Sequence, residues 1–507
     1  MARWFVDRSP QRGIPSVSLR RLLPDARFVG CRDWEVSGCS ADSRRLDPGQ
    51  VFVAVNGPRQ DGHAFVGKAL ERGAAGVVVE RVCPEAGRLQ VVVPDARLAL
   101  ARLCQALAGD PSESLRIIGV TGCFGKTVTS LFLRSIFEVT GARFGLVSPL
   151  GWSDGQAMHP AGRTPPGAES LALMLAAMVE CGCKGGILQI SDESLERRTV
   201  EGMQLDVAVI TGLLGLQPIE PDLIVRDRRS RAARLFHMIA PGGAAVVNAD
   251  DPHAELLGAV NLDARRVSFA IQRPADITAK IERLGQSGSR FLLRGFDREA
   301  TVDLRLVGSR NVAHALAAAA VAWSRGLATD QVVAGLEAVS CVPGRLEPVA
   351  EGQGFEVRID RARTGPELRL ALAALRELCT GPVHCVIGAE GLHDRSLRLD
   401  LARAAEAGAD RVILTTDNPR TEDPDQILDD LLSGFRRPGR VRVEPDRRRA
   451  IELALASACP GDGVLIAGKG RETFQIFADR ALPFDDQEVA LQWLRHHHRP
   501  SPQRSSA

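Results

Sequence analysis

The chain has 507 residues, enough for about three domains at roughly 150 residues each. Apolar residues make up 45% of it, and 64 basic residues nearly balance 62 acidic ones, which argues against nucleic acid as a partner. Residues 1–25 carry several arginines and no long apolar run, and no later segment approaches the length of a membrane span. Eleven scattered cysteines, an odd number, favour reduced thiols. These features predict a cytoplasmic protein without a signal peptide or a membrane span.

A glycine-rich turn between a strand and a helix is the strongest local signal. Residues 115–120 form an apolar run typical of a buried strand, and apolar residues recur at helical spacing over 126–137. Backbone N–H groups of such a turn can close on a phosphate, Lys126 can reach the β- and γ-phosphates, and Thr127 can hold Mg²⁺. The glycines concerned are Gly119, Gly122 and Gly125. Val120 stands where the strict motif has its first glycine, so an ordinary Gly-rich turn remains the alternative.

The first 110 residues mix strand-like and helical segments, which indicates a small α/β module. The patterns predict strands at 51–55, 75–80 and 89–93 and a helix at 62–73. Residues 108–114, with Gly109, Pro111 and two serines, are typical of a linker. We therefore expect a first domain at residues 1–110.

Residues 111–345 alternate apolar strands with helical patterns, as in a largely parallel sheet with helices outside it. The predicted strands are 117–120, 186–190, 207–211 and 244–248, and the predicted helices are 126–139, 168–181, 227–239 and 311–325. Residues 264–306 are predicted to add antiparallel strands. Because such sheets bind ligands at the carboxyl ends of their strands, we expect one site near Thr121, Ser191, Thr211 and Asn248.

Strand–helix alternation resumes beyond Pro343-Gly344, which predicts a third, dinucleotide-fold-like domain at 346–495. Its predicted strands are 383–387, 411–415 and 464–467, and its predicted helices are 366–379, 399–407, 425–434 and 446–458. Residues 496–507 are polar and rich in Ser and Pro, and we expect a disordered tail there.

These motifs, in this order, resemble the Mur ligase family over nearly the whole chain. Asp42-Ser43-Arg44 and Asp61-Gly62-His63 look like its UDP-sugar-binding segment, and residues 119–127 look like its phosphate loop. The most specific pair is Asp417-Asn-Pro-Arg420 with Gly468-Lys-Gly-Arg-Glu472. The resemblance implies an α/β fold with three domains: a UDP-sugar-binding domain, a central ATP-binding parallel-sheet domain with the phosphate loop, and a C-terminal amino-acid-binding domain.

The resemblance also implies three groups of site residues. Lys126 and Thr127 would be catalytic, and Thr127 would be the one family metal ligand that is kept. The ATP-binding residues would be Gly119, Thr121, Gly122, Gly125, Lys126, Thr127, Asn311, Arg345 and Asp360. The substrate-binding residues would be Ser43, Arg44, Thr164, Pro165, Ser191, Asp417, Asn418, Arg420, Gly468 and Glu472. In the last four an Arg can clamp a carboxylate and a Glu can pair with an ammonium, as binding of a diamino acid requires.

The implied chemistry is amide ligation in peptidoglycan synthesis. ATP would phosphorylate a substrate carboxylate, an amine would attack the acyl phosphate, and phosphate would leave. The implied substrates are UDP-N-acetylmuramoyl-L-Ala-D-Glu and a diamino acid such as meso-diaminopimelate, with ATP and Mg²⁺ as cofactors and a monomer as the acting species.

The sequence departs from the family pattern around the metal and the γ-phosphate. Gln189 stands where the family has a metal-binding Glu, and Ala232 stands where it has a carbamylated Lys. The other departures are Cys123, Phe124, Glu193, Gln217, Arg361, Arg363 and Glu390. Mg²⁺ favours carboxylate oxygens, and two unit charges 4 Å apart interact by roughly 4 kcal/mol at an effective dielectric of 20. These losses predict weak Mg²⁺ binding unless Asp192 or Glu193 compensates.

Three hypotheses follow. The first is an ATP-dependent ligase whose turnover these substitutions impair to an extent that the sequence leaves open. The second is a non-catalytic relative that binds the nucleotide-sugar-peptide or partner ligases on the same scaffold. A ligase acting on a folate-like polyglutamate is a third, and the complete first domain argues against it.

Overall fold

The computed structural model describes residues 16–30, 33–57, 60–160, 165–213, 222–253 and 263–497. Within these residues, a five-stranded, an eleven-stranded and a six-stranded sheet follow one another along the chain. Helices pack against each sheet, and buried apolar clusters fill the space between them. The predicted α/β class with a large central parallel sheet is thereby confirmed.

The N-terminal sheet has the strand order Arg27–Val29, Gln90–Val92, Gly76–Val79, Val51–Val53, Cys39–Ser40, and only its first pair is antiparallel. A small ladder joins Val17–Ser18 to Glu35–Val36. The helices are Leu19–Leu22, Val66–Glu71 and Ala96–Leu107. The helix predicted at 62–73 begins as a 3₁₀ turn, Gly62–Phe65, because the Asp61 carboxylate accepts a hydrogen bond from the His63 N–H and caps that turn.

The central sheet contains seven neighbouring parallel strands with antiparallel strands at both ends. Its order is Met158–His159, Gly151–Ser153, Phe144–Ser148, Gly185–Gln189, Arg116–Thr121, Leu205–Ile210, Ile239–Asn248, Arg265–Ala270, Ile277–Gly285, Gly288–Gly295, Arg298–Leu304. The expectation of antiparallel strands throughout 264–306 is wrong in its first part. Arg265–Ala270 pairs in parallel with the end of the preceding strand, and antiparallel pairing begins only with the hairpin of Ile277–Gly285 and Gly288–Gly295.

Four central helices lie near the positions that their apolar spacing predicts: Lys126–Val139, Ala168–Glu180, Asp222–His237 and Ser309–Ser324. The helices Pro111–Ser114, Asp192–Glu196 and Thr329–Ala338 were not predicted. The alanine-rich helix Ser309–Ser324 packs in the core against Lys126–Val139 because its small side chains allow close approach. The predicted linker at 108–114 instead contains one helical turn, with Pro111 at its first position, where a missing N–H costs nothing.

The C-terminal sheet has the order Glu347–Pro348, Glu356–Asp360, Gly463–Ala467, Val383–Ile387, Arg411–Leu414, Val441–Val443, and it is parallel except at its first pair. Its helices are Gly365–Arg376, Arg395–Gly408, Pro424–Ser433, Arg447–Ala456 and Asp486–His497, and a hairpin joins Phe474–Ile476 to Ala481–Pro483. The last helix extends through residues 496 and 497, so the prediction of a disordered tail is wrong at these two positions. Residues 498–507 lie outside the described part. None of the described helices has the length and apolarity to cross a membrane.

Candidate functional site

A cavity of about 210 Å³ lies where the phosphate loop meets the helices Ser309–Ser324 and Gly365–Arg376. Typical ligand pockets measure ~300–1,000 Å³, so this one encloses only part of a nucleotide. Six of the residues predicted to bind ATP line it: Gly125, Lys126, Thr127, Asn311, Arg345 and Asp360. The tertiary structure therefore brings together groups that lie up to 235 positions apart in the sequence.

Two glycines shape the phosphate loop. Gly122 and Gly125 have φ angles of 131° and 83°, in the region that L side chains rarely adopt. A Cβ on Gly122 would overlap the Thr211 hydroxyl, and a Cβ on Gly125 would overlap the His314 ring. Gly119 differs, because it lies inside the strand Arg116–Thr121 and its missing Cβ makes room for apolar neighbours. Its predicted contact with ATP stays a prediction.

Lys126 and Thr127 begin the helix after the loop, and both side chains already have partners within the chain. The Lys126 ammonium donates to the Gly122 carbonyl at 2.6 Å, so it lies folded back across the loop. Burial lowers its pKa, and the charge of Asp192 opposes that shift. The Thr127 hydroxyl donates to the Gln189 amide oxygen at 3.1 Å. Lys126 must turn outward before it can meet a phosphate.

The carboxyl ends of the neighbouring strands support the loop from behind. The Thr211 hydroxyl donates to the carbonyls of Phe124 and Thr121, and the Asn248 amide donates to the Thr211 carbonyl at 2.9 Å. Ser191 caps the short helix Asp192–Glu196 by accepting from the Ser194 N–H. Thr121 and Ser191 lie outside the cavity lining, so their contact with a ligand remains a prediction.

The Thr127 hydroxyl and its hydrogen-bond partner, the Gln189 amide oxygen, are a poor fit for a Mg²⁺ ion held by the protein. Both groups are neutral, whereas Mg²⁺ favours carboxylates. Glu193 pairs with Arg197 at 2.7 Å. Ala232 lies in an apolar cluster, 1% exposed, and Gln217 lies outside the described residues. In the part of the chain that the structure describes, no three His, Cys, Asp or Glu side chains form a group that could hold a metal ion.

Two titratable groups on the opposite wall of the cavity, Asp360 and His314, have shifted pKa values. Asp360 is buried and accepts from the Leu346 N–H at 2.8 Å; burial raises its pKa to about 6 against the opposing charge of Arg345. Asn311 donates to the Val307 carbonyl at 2.7 Å. His314 also lines the cavity, and burial lowers its pKa to about 4. Sequence reasoning missed His314, although its spacing of three from Asn311 places both on one face of a helix.

Replacing Asp360 with asparagine is expected to raise stability most at neutral pH. Between pH 3.8 and about 6 the folded chain binds more protons at this carboxyl than the unfolded chain, so stability falls as pH rises through that window. A shift of this size corresponds to roughly 3 kcal/mol at most. The urea midpoints of the natural chain and the variant should differ more at pH 7.5 than at pH 4.5. The exposed Asp479→Asn variant should show no such difference, and a pH-independent effect of Asp360→Asn would contradict the prediction.

The residues predicted to hold the diamino acid form one network in the C-terminal domain. The Asn418 amide donates to Glu472 at 2.8 Å, and its oxygen accepts from the buried Lys469 ammonium at 3.2 Å. Lys469 also lies 3.8 Å from Asp417. Gly468, at φ 109°, leaves room for the Asp417 carboxylate, which a Cβ would meet. The structure therefore joins all of these residues, although Asp417 is 1% exposed and lies beneath the others.

Charges in this network are compensated within the chain. Burial would raise the pKa of Glu472, but Arg363 and the Asn418 hydrogen bond outweigh it and lower that pKa. Burial raises the pKa of Asp417 against the charges of Arg447 and Lys469, and among the described residues neither of its oxygens accepts a hydrogen bond. Arg363 and Glu390 enter the network as well; the sequence marked both as departures from the family pattern but not as site residues.

Three other predicted substrate-binding residues, Ser43, Arg44 and Pro165, belong to neither the cavity nor this network. Ser43 is buried in the N-terminal domain, and the exposed Arg44 pairs with Asp42 at 2.9 Å. Pro165 precedes the helix Ala168–Glu180, and Thr164 lies outside the described residues. Their contact with substrate stays a prediction.

The fold and the cavity define a class of protein. Its members are three-domain α/β proteins with a phosphate loop at the carboxyl end of a strand inside a parallel sheet. Family models match the chain in three consecutive parts: the Mur ligase family, catalytic domain, at residues 35–107, the Mur ligase middle domain at 120–322, and the Mur ligase, glutamate ligase domain at 344–470. The chain belongs to the Mur ligase family.

Similar proteins cover almost all of the chain. It is 34% identical over 472 residues to the UDP-N-acetylmuramoyl-L-alanyl-D-glutamate--2,6-diaminopimelate ligase of Syntrophomonas wolfei, covering 92% of this chain and 96% of that one. It is 38% identical over 496 residues to the ligase of that name from Alkalilimnicola ehrlichii, covering 94% and 98%. A solved structure of a ligase of that name matches with a TM-score of 0.67 at 27% identity, covering 96% of this chain and all of the other.

Proposed function

We propose that this chain binds ATP and UDP-N-acetylmuramoyl-L-alanyl-D-glutamate and joins a diamino acid such as diaminopimelate to the peptide through an amide bond. The observation that carries the proposal is the cavity, where Lys126 and Thr127 lie at a helix N-terminus opposite Asn311, Arg345 and Asp360. These are the groups that the family resemblance assigns to ATP. The similarity to diaminopimelate ligases over more than nine-tenths of the chain supports the choice of substrates.

In this proposal the chain acts mainly by positioning groups and by neutralising phosphate charge. Lys126 would leave the Gly122 carbonyl to meet the β- and γ-phosphates, and the N–H groups of the loop would bind phosphate oxygens. Arg310 and Arg345 add further positive charge in the same cavity. We assign no step to a protein-held metal ion, because the donors beside Thr127 do not fit one.

A non-catalytic binding protein is the second candidate, and the Thr127–Gln189 hydrogen bond favours it. In that bond the hydroxyl of Thr127, the predicted metal ligand, contacts the neutral amide of Gln189. Such a protein would bind ATP or the UDP-linked dipeptide without converting them.

One assay separates the two candidates. Purified protein is given ATP, Mg²⁺, UDP-N-acetylmuramoyl-L-Ala-D-Glu and meso-diaminopimelate, and ADP release is followed. Release that requires both the dipeptide and the amino acid supports the ligase. Calorimetric binding of ATP without substrate-dependent release supports the binding protein, and affinity for neither ATP nor the dipeptide contradicts both.

A further inference from the structure

Two charged side chains, Arg363 and Glu390, contact the groups predicted to hold the diamino acid. The Glu390 carboxylate accepts from Nε of Arg420 at 2.9 Å and from its Nη2 as well. The Arg363 guanidinium donates to Glu472 and, at 3.3 Å, to the second oxygen of Glu390. The result is an unbroken row of alternating charge, Arg420–Glu390–Arg363–Glu472.

The inner members of this row are the more buried ones. The side chains of Glu390 and Arg363 are 6% and 18% exposed, whereas those of Glu472 and Arg420 are 35% and 42% exposed. Ion pairs removed from water are screened less than surface pairs, and breaking one by removal of a partner leaves an uncompensated charge. The inner pair of the row is therefore less screened than an ion pair at the surface.

The backbone holds Glu390 in this position. The next residue, Gly391, donates its N–H to the Asn418 carbonyl at 2.9 Å, and a Cβ there would overlap the Pro419 carbonyl. Arg420 has a φ angle of 57°, so its turn is fixed in an unusual conformation beside that loop. The segment that carries Glu390 thus packs directly on the turn that carries Arg420.

A diamino acid would have to compete with this row at both of its charged ends. A carboxylate approaching Arg420 meets the Glu390 carboxylate already there, and an ammonium approaching Glu472 meets the Arg363 guanidinium. We infer that Glu390 and Arg363 form a latch that occupies the amino-acid-binding groups from within the chain, so that a diamino acid binds only by displacing it. The inference rests on the proposed function, since that function assigns Arg420 and Glu472 to the amino acid.

Calorimetric titration of the full chain with meso-diaminopimelate, without ATP, tests the latch. The variants are Glu390→Gln, which keeps the side-chain shape, Arg363→Gln, which replaces the guanidinium with a shorter neutral amide, and both together. We expect the double variant to bind at least tenfold more tightly than the natural chain and each single variant to lie between them. The matched control is Glu356→Gln, which breaks the Glu356–Arg358 pair of 2.8 Å elsewhere on the same sheet and should leave the affinity unchanged.

Two simpler ligands distinguish the latch from a general loosening of the domain. Pimelate carries the carboxylates of diaminopimelate without its amines, and 1,5-diaminopentane carries two amines without carboxylates. Glu390→Gln should favour pimelate only, because it frees Arg420, and Arg363→Gln should favour the diamine only, because it frees Glu472. Equal gains for both ligands in either variant, or no gain in diaminopimelate affinity, would overturn the inference.

The outcome is separable from that of the proposed function. A chain that releases no ADP but gains affinity as described refutes ligation and supports the latch. A chain that ligates diaminopimelate yet gains nothing in any of the three variants keeps the proposed function and loses the latch.

Discussion

Replacing Arg447 with methionine is expected to destabilise the C-terminal domain by about 3–5 kcal/mol. Arg447 and Asp486 are both fully buried and form two hydrogen bonds of 2.7 Å, and Arg447 also donates to the Ala467 carbonyl. Removing the guanidinium leaves the Asp486 carboxylate without its partner in the core. It also removes a positive charge that opposes the raised pKa of Asp417.

Hydrogen exchange of the strand Gly463–Ala467, measured by mass spectrometry on the full chain, reports this loss as faster exchange in a buried element. The double variant Arg447→Met with Asp486→Leu should recover most of the protection, because the Asp486 carboxylate is then no longer left unpaired in the core. Arg480→Met, at a pair whose side chains are 64% and 80% exposed, should change exchange little. A loss below about 1 kcal/mol for Arg447→Met would contradict the prediction.

Replacing Gln189 with glutamate is expected to tighten Mg²⁺-dependent ATP binding at least tenfold. The substitution keeps the side-chain shape and places a carboxylate where the amide oxygen now accepts from Thr127 at 3.1 Å. At a separation of 4 Å and an effective dielectric of 20, two unit charges interact by roughly 4 kcal/mol, and tenfold requires only about 1.4. When EDTA removes the metal, the new carboxylate should weaken ATP binding, because its negative charge then repels the phosphates without a cation between them.

Calorimetric titration of ATP with and without Mg²⁺ measures both effects. Glu193→Gln is the control that tests whether Glu193 serves as a substitute Mg²⁺ ligand. Because Glu193 pairs with Arg197, we expect this variant to leave the Mg²⁺ dependence of ATP binding unchanged. An equal Mg²⁺ dependence in the natural chain and Gln189→Glu would refute the prediction. Replacing Ala232 with lysine is a poor companion test, since the new ammonium would enter an apolar cluster with Leu213 and Phe236.

Elements with a clear apolar period were predictable from the sequence. The helix expected at 126–139 is Lys126–Val139, and the one expected at 311–325 is Ser309–Ser324. Several buried elements were not identified, among them the helices Ala96–Leu107, Thr329–Ala338 and Asp486–His497 and the strand Phe144–Ser148. That strand is buried along its whole length, so it shows none of the alternation that marks a half-exposed strand.

The two parts of the candidate site differ in how they could be recognised from the sequence. The phosphate loop is local: glycines, a lysine and a threonine within a few positions between a strand and a helix. Asn311, Arg345 and Asp360 could be grouped only through the family resemblance, because nothing in their spacing shows that they face the loop. His314 lines the same cavity and was missed for that reason.

By itself, the sequence determined the α/β class, the place of the phosphate loop and the substitutions around Thr127, because each depends on residues close together in the chain. Only the tertiary structure decided which charges neutralise one another. Arg363 and Glu390 lie on loops at the carboxyl ends of two strands that the strand Gly463–Ala467 separates in the sheet, and their contact with Arg420 and Glu472 follows from strand order. The same holds for Arg447 and Asp486, whose pairing depends on two helices packing together. Electrostatic interaction depends on distance and burial in space, and neither can be read from positions along the chain.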